Sequence, residues 1–141
     1  MAGTLGLSST FAVYVEQTAA IRQETLTTAG LPRGGTIDYF LAEVLAKTDG
    51  AGPNTQSFQV FKVRASDGAA VNVTGGGSAF NVGAFGVGHV AIAQTVANGD
   101  EVLAAGDQLR VVVNGDATDT VQFRVITVLR DNTTFVTVNA S

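Results

Sequence analysis

The chain of 141 residues contains no cysteine, no tryptophan, one histidine, one methionine and two prolines. Without cysteine there is no thiol nucleophile, no Cys-based zinc site and no disulfide framework, and the redox compartment stays open. Charge is scarce too. Only 14% of residues are Asp, Glu, Lys or Arg, against about a quarter in ordinary soluble domains. Twelve acids face eight scattered bases for a formal net charge of −4, whereas binding a phosphate backbone needs a clustered basic surface. No nucleic acid is expected as partner. No run approaches the roughly 18–20 apolar residues of a membrane span, so no membrane partner is expected. The start, MAGTLGLSSTFAVYVEQ, lacks the basic n-region and continuous apolar core of a signal peptide. The expectation is a product made in the cytoplasm with this segment retained.

What the chain has instead is small and β-branched. Apolar residues make up 45% and glycines number 17, and a chain of this length fits one domain that buries roughly two-thirds of its unfolded surface. With so little charge, its surface is either dressed in Thr, Ser, Asn, Gln and Gly or partly buried against other subunits.

The stretch around which the rest is organised is Val96 to Leu129. Leu109 to Val113 and Val121 to Leu129 are apolar runs joined by the turn-rich Asn114 to Asp119, which reads as an antiparallel hairpin. In the second run Val121, Phe123, Val125, Thr127 and Leu129 share one face and Thr120, Gln122 and Arg124 the other, because strand side chains alternate. The apolar face needs a second sheet to cover it.

Upstream, Met1 to Ser9 is rich in small residues and reads as a flexible arm, so the expected organisation is an arm, 1–9, and one domain, 10–141. Thr10 to Val15 alternates as a first strand, and the threonines at 25, 27 and 28 favour an extended second half of Glu16 to Leu31. Thr36 to Asp49 is two-sided. Ile37, Phe40, Leu41, Val44 and Leu45 fit helical spacing, with Thr36 as N-cap, while Ile37, Tyr39, Leu41 and Leu45 fit a strand spoiled by Glu43. Strand neighbours on both sides favour the strand. Gln56 to Ala65 is apolar on both faces, a short strand surrounds Val71 and Val73, and Thr74 to Gly88 holds six glycines among Phe80, Val82 and Phe85. Aromatics planted in such a loop imply an anchor, on its own core or on a partner. Val87 to Val96 and Thr133 to Val138 complete about eight or nine short antiparallel strands, the spacing of an all-β sandwich.

Catalytic residues are not expected. His89 has no nucleophile and orienting carboxylate in view, so an enzyme, and with it a small-molecule substrate, is not anticipated. Asp100, Glu101, Asp107, Asp116 and Asp119 sit beside glycines in loops; they suit either a hard cation or the ordinary habit of turn aspartates, which bond their own backbone. Their spacing fits no EF-hand, and neither a metal nor another cofactor is expected. Gly75 to Gly77 lacks the Lys-Ser or Lys-Thr of a phosphate loop.

Two segments carry a resemblance. Arg33 to Gly68 has a Pro and Gly entry, a strand, a Gly-rich loop and a Thr- or Ser-led strand ending in a polar-Gly turn. Val96 to Leu129 has the step Ala-Gly-Asp-x-Leu-x-Val-x-Val at Ala105 to Val113. Together they resemble the jelly-roll-like domains of tailed-phage virion proteins. The resemblance implies a β-sandwich with an extended N-terminal arm and a structural role in the virion. Its leading form is a capsid decoration, or cement, protein at the capsid surface: a homotrimer that binds the major capsid protein and stabilises the shell. The alternative form is a tail-tip or head-fibre module that binds a receptor or carbohydrate. Leu5, Leu7, Phe11 and Val13 in and after the arm, Phe80 and Phe85 in the Gly-rich loop, and Ile126 and Val128, with Leu129, at the strand end are the expected partner contacts.

Overall fold

The computed structural model describes residues 2–5, 8–16, 24–27, 30–31, 34–48, 50, 52–115, 120–131 and 136–139, with side chains described in 30–31, 34–48, 50, 52–115 and 121–130. In chain order the strands are β1 (Ala2–Leu5), β2 (Ser8–Glu16), β3 (Glu24–Thr27), β4 (Gly35–Thr48), β5 (Ser57–Val63) and β6 (Ala70–Asn72). After a 3-10 turn at Gly75–Gly77 follow β7 (Phe80–Asn81), β8 (Val90–Gln94), β9 (Val102–Leu103), β10 (Gln108–Asn114), β11 (Thr120–Asp131) and β12 (Val136–Asn139).

Two sheets form a sandwich. One runs β2-β11-β4-β8 with β9 also on β4; the other runs β3-β10-β5-β6 with β7 also on β5. Leaving aside the two-residue strands and the β1-β12 ribbon, eight strands remain. The first pairs with the last, β2 with β11, and the second with the seventh, β3 with β10. The third pairs with the sixth, β4 with β8, and the fourth with the fifth, β5 with β6, all antiparallel. That order is one long hairpin wrapped about an axis, which is the jelly roll.

The alternation read along β11 holds: Val121, Phe123, Val125, Thr127 and Leu129 are all buried, while Gln122 and Arg124 are half-exposed. The hairpin does not hold. β10 and β11 lie in different sheets. Leu109, Val111 and Val113 therefore meet Phe123 and its neighbours across the core. A period-two pattern requires only that the apolar face be covered; a facing sheet does that as well as an adjacent strand.

Thr36 to Asp49 is strand, and the reason it looks helical is visible in its register. Along β4 the pairing with β11 slips twice, so that Val128 opposes Tyr39 but Leu129 opposes Ile37, and Phe123 opposes Val44 but Gln122 opposes Ala46. Asp38 and Leu45 are the extra residues of two bulges. The first bulge resets the phase, so the buried positions are Ile37, Phe40, Ala42 and Val44, not the Ile37, Tyr39, Leu41 and Leu45 of an unbroken strand. The spacing of three from Ile37 to Phe40 is what imitates a helix.

The segment expected as an arm, Met1 to Ser9, includes β1, and its last two residues, Ser8 and Ser9, begin β2. β1 pairs with β12, Ala2 opposite Asn139 and Leu5 opposite Val136. The expected last strand is therefore realised as half of a ribbon built from both ends of the chain.

Inside, Phe40, Phe58 and Phe123 are wholly buried with Val60, Val111 and Val125 around them. Full burial of each of these side chains favours folding by about 1.5–3 kcal/mol relative to exposure. Two polar side chains share this interior. The Gln56 amide and the Thr127 hydroxyl are buried with no hydrogen-bond partner.

Candidate interaction surface

The sheet β2-β11-β4-β8 turns its other face outward, and register dictates what is displayed there. Paired residues of antiparallel strands share a face, so Ile126, Leu41 and Ile92 form a row across three strands. Val128, Tyr39 and Gln94 form the next row, and Arg124, Glu43 and Val90 the one on the other side. Ile126, Val128, Leu41 and Tyr39 are half-exposed. Charge on this face is matched in place: Arg124 bonds Glu43 and Arg130 bonds Asp38.

Towards the β8 edge the apolar surface opens further. The exposed large hydrophobic residues among those described are Leu45, Val87, Val90, Ile92 and Val102, with Val87 at 62% and Ile92 at 60% exposure. Leu45 is on β4 itself, and the other four lie along its β8 and β9 flank. Val90 and Ile92 are on β8 and Val102 on β9, which both pair with that flank. Val87 belongs to the loop that bonds Val44 through Gly88 and His89. Leu45 is the bulge residue that Val44 precedes.

The Gly-rich loop is anchored on its own core. Thr74 Oγ1 accepts from Val60 N at 2.7 Å, Thr74 bridges Thr95, and Thr95 Oγ1 donates to Val73 O at 2.9 Å. These bonds tie the end of β6 to the end of β8. Two glycines make the close approach possible. A Cβ on Gly83 would lie 2.2 Å from Asn54 Oδ1, and one on Gly75 would lie 2.8 Å from Gln94 O. The aromatics continue the anchor as a ladder from core to surface. Phe123 meets Phe58 at 5.6 Å, Phe58 meets Phe80 at 5.5 Å, Phe80 stacks on Phe85 at 5.8 Å, and Phe85 stacks on exposed His89 at 4.6 Å. Between this loop and β8 runs a groove of about 350 Å³ lined by Thr74, Ser78, Phe80, Ile92 and Gln94 among others.

The acidic loops do structural work. Asp107 accepts from Ala65 N at 2.9 Å and Ala104 N at 2.8 Å, and Glu101 accepts from Gly99 N at 2.8 Å. Among the described residues no three His, Cys, Asp or Glu side chains come together as a metal site; Asp116 and Asp119 lie outside them. Asp67 accepts from Ala69 N, and Arg64 beside it adds to that bond in holding the carboxyl below the usual carboxylate range. Lys62, buried at 7% exposure, donates to Val102 O at 3.0 Å and ties β5 to β9 across the mouth of the sandwich.

Of the expected contact residues, Ile126 and Val128 are on the outward face, and Phe80 and Phe85 are half-buried in the aromatic ladder. Leu129 is core, at 3% exposure. Leu5 is in β1, while Phe11 and Val13 are in β2 opposite Thr127 and Val125. The side chains of these three, and Leu7 entirely, lie outside what the structure describes. Sequence reasoning missed the β8 flank. Its signal was present as a gap: from Gly68 to Gly99 there is no Asp, Glu, Lys or Arg.

No family model and no curated protein matches this chain. Among solved structures, that of the infectious bursal disease virus Gx strain superposes with a TM-score of 0.32 at 8% identity, over 100% of this chain and 32% of that one. The chain thus spans about a third of the chain it matches, and the superposition is too loose to transfer anything from it.

Proposed function

We propose that this chain is a structural protein of a tailed-phage virion, placed on the outside of the capsid, where it binds the major capsid protein and stabilises the shell without performing chemistry. The observation that carries this reading is the outward apolar row Ile126, Leu41 and Ile92, opening into the exposed β8 flank. Jelly rolls serve as capsid subunits, as lectins and as cupins, and the choice among them depends on the site, not on the fold. Here Phe40, Phe58 and Phe123 fill the space between the sheets, where a cupin would hold its ligand. The outward face offers apolar rows and internally paired charge, which suits a dry contact repeated by symmetry. Contacts that are weak one at a time gain strength when many are made at once on a lattice.

The test is sedimentation with shells of the encoding phage that lack this protein. Stoichiometric binding and a higher shell dissociation temperature are expected. Protein left wholly in the supernatant would sink the reading. The groove between β8 and Phe80, with Gln94, Ser78 and Thr74 on its walls, favours a second reading, a carbohydrate-binding module. A glycan array is its test, and binding lost on Phe80→Ala is its signature.

A further inference from the structure

We infer that Asn98 is a self-modifying site: the turn between β8 and β9 cyclises its side chain onto the backbone nitrogen of Gly99, releases ammonia and leaves aspartate or isoaspartate in its place. The inference does not depend on the virion reading.

A glycine after asparagine has no Cβ to shield its nitrogen, so that nitrogen can reach the side-chain amide before it. The chain has two such pairs, Asn98-Gly99 and Asn114-Gly115, and each is followed by an aspartate, Asp100 or Asp116. Local sequence barely separates them. The fold does. Asn114 is the last residue of β10, half-buried and held extended opposite Ser57. Asn98 and Gly99 are exposed and lie outside any strand, and Gly99 has a φ of 101°, a conformation that suits glycine.

Two groups stand at the reacting atoms. Glu101 Oε2 accepts the Gly99 N–H at 2.8 Å. A carbonyl acceptor would only hold that proton, whereas a carboxylate is a base and can take it. Asn98 Oδ1 accepts the Asp100 N–H at 3.0 Å, so a donor already faces the oxygen on which negative charge develops. The turn is fixed as well. Val102 N donates to Gly99 O at 3.2 Å, and Ile37 N on β4 donates to Glu101 O at 2.9 Å, which holds base, nucleophile and amide in one place.

Glu101 takes the proton from Gly99 N as that nitrogen bonds to Asn98 Cγ. The tetrahedral oxyanion on Oδ1 keeps the Asp100 N–H. Collapse breaks the bond from Cγ to Nδ2, and Glu101 returns the proton to the departing nitrogen, which leaves as ammonia. Water then opens the succinimide ring at either carbonyl, giving aspartate or isoaspartate; nothing is oxidised or reduced. The product sets a new carboxylate beside Asp100, Glu101 and exposed Val102, at the end of the run from Gly68 to Gly99 that starts without charge. An old copy of the chain therefore differs from a new one on the β8 and β9 flank.

The test is peptide mapping by mass spectrometry of the full folded chain during storage in neutral buffer, with a sample in urea alongside. The gain in mass from exchanging NH for O is expected at Asn98 sooner than at Asn114, with both aspartate and isoaspartate recovered at position 98. In urea, where only local sequence counts, Asn98 should slow and Asn114 should speed up. Glu101→Gln keeps the size of the side chain and removes the base. Since positioned bases contribute about 10²–10⁴-fold, the Asn98 rate in the folded variant should fall at least about tenfold at unchanged circular dichroism. Asn98 reacting no faster than Asn114, a rate at Asn98 unchanged or raised by urea, folded Glu101→Gln reacting as fast as the parent, or aspartate without isoaspartate would overturn the inference.

Discussion

The centre and the edge of one sheet handle exposure in opposite ways. On β4 and β11 outward charges sit opposite partners, Glu43 with Arg124 and Asp38 with Arg130, and strands cover both flanks. On β8 the outward residues are Val90 and Ile92, and the flank away from β4 carries, among the described residues, the Thr74–Thr95 bridge and the Gly-rich loop in place of a strand. The centre matches charge with charge, whereas the edge displays uncharged apolar side chains. Stability should therefore depend far more on residues inside and beneath the centre than on the outward residues at the edge.

The sharpest way to break that comparison is to cut each region once. Phe123→Ala removes a fully buried ring that touches Phe58 and should cost about 3–5 kcal/mol in urea denaturation, a large part of the roughly 5–15 kcal/mol of a typical domain. Ile92→Ala, measured at low protein concentration, should stay within about 0.5 kcal/mol of the parent. If the two lose similar stability, the edge belongs to the core and the contrast fails. The anchored loop comes next. Gly83→Ala drives a Cβ into Asn54 and should cost about 1–3 kcal/mol as the loop is pushed off β5.

A smaller effect of opposite sign tests the centre from within. Thr127→Val replaces a buried hydroxyl that has no partner by a methyl group and should raise stability by about 1 kcal/mol. A loss would mean that the hydroxyl is bonded in solution. The smallest effect sits in the β5-β6 turn. Asp67 has its folded pKa lowered, first by the Ala69 N–H and then by Arg64, so its contribution is present above the ordinary carboxylate range and fades as pH falls through the lowered value. Asp67→Asn should flatten the acid limb of the stability curve slightly and leave neutral pH behaviour almost unchanged.

Much of the fold was legible because alternation is a local property. Phe123, Val125 and Thr127 declare a buried face whatever lies opposite. What alternation cannot state is which strand lies alongside, and so Leu109 to Val113 and Val121 to Leu129 read as a hairpin although they face each other across the core. The bulge at Asp38 is invisible for a related reason, since an extra residue in one strand is defined only by its partner. The β8 flank was legible in another sense. The charge-free run from Gly68 to Gly99 stands in the sequence, but a missing charge points to a surface only once the fold lays Val87, Val90 and Ile92 along β4.

The wrapped pairing has a consequence for synthesis. Of its four cross-pairs only β5 with β6 joins neighbours, whereas β2 must find β11, with Val13 opposite Val125 near the far end of the chain. Loop closure over such distances is slow relative to local structure. While the ribosome is still translating, β5 can pair with β6 and β4 with β8, but β2 and β3 have no partner strands until β10 and β11 emerge in the last quarter of the chain. The expected order is closure from the β5-β6 turn outward, with β2 joining after β11. A nascent chain stalled before β11 is consequently the form most in need of a chaperone.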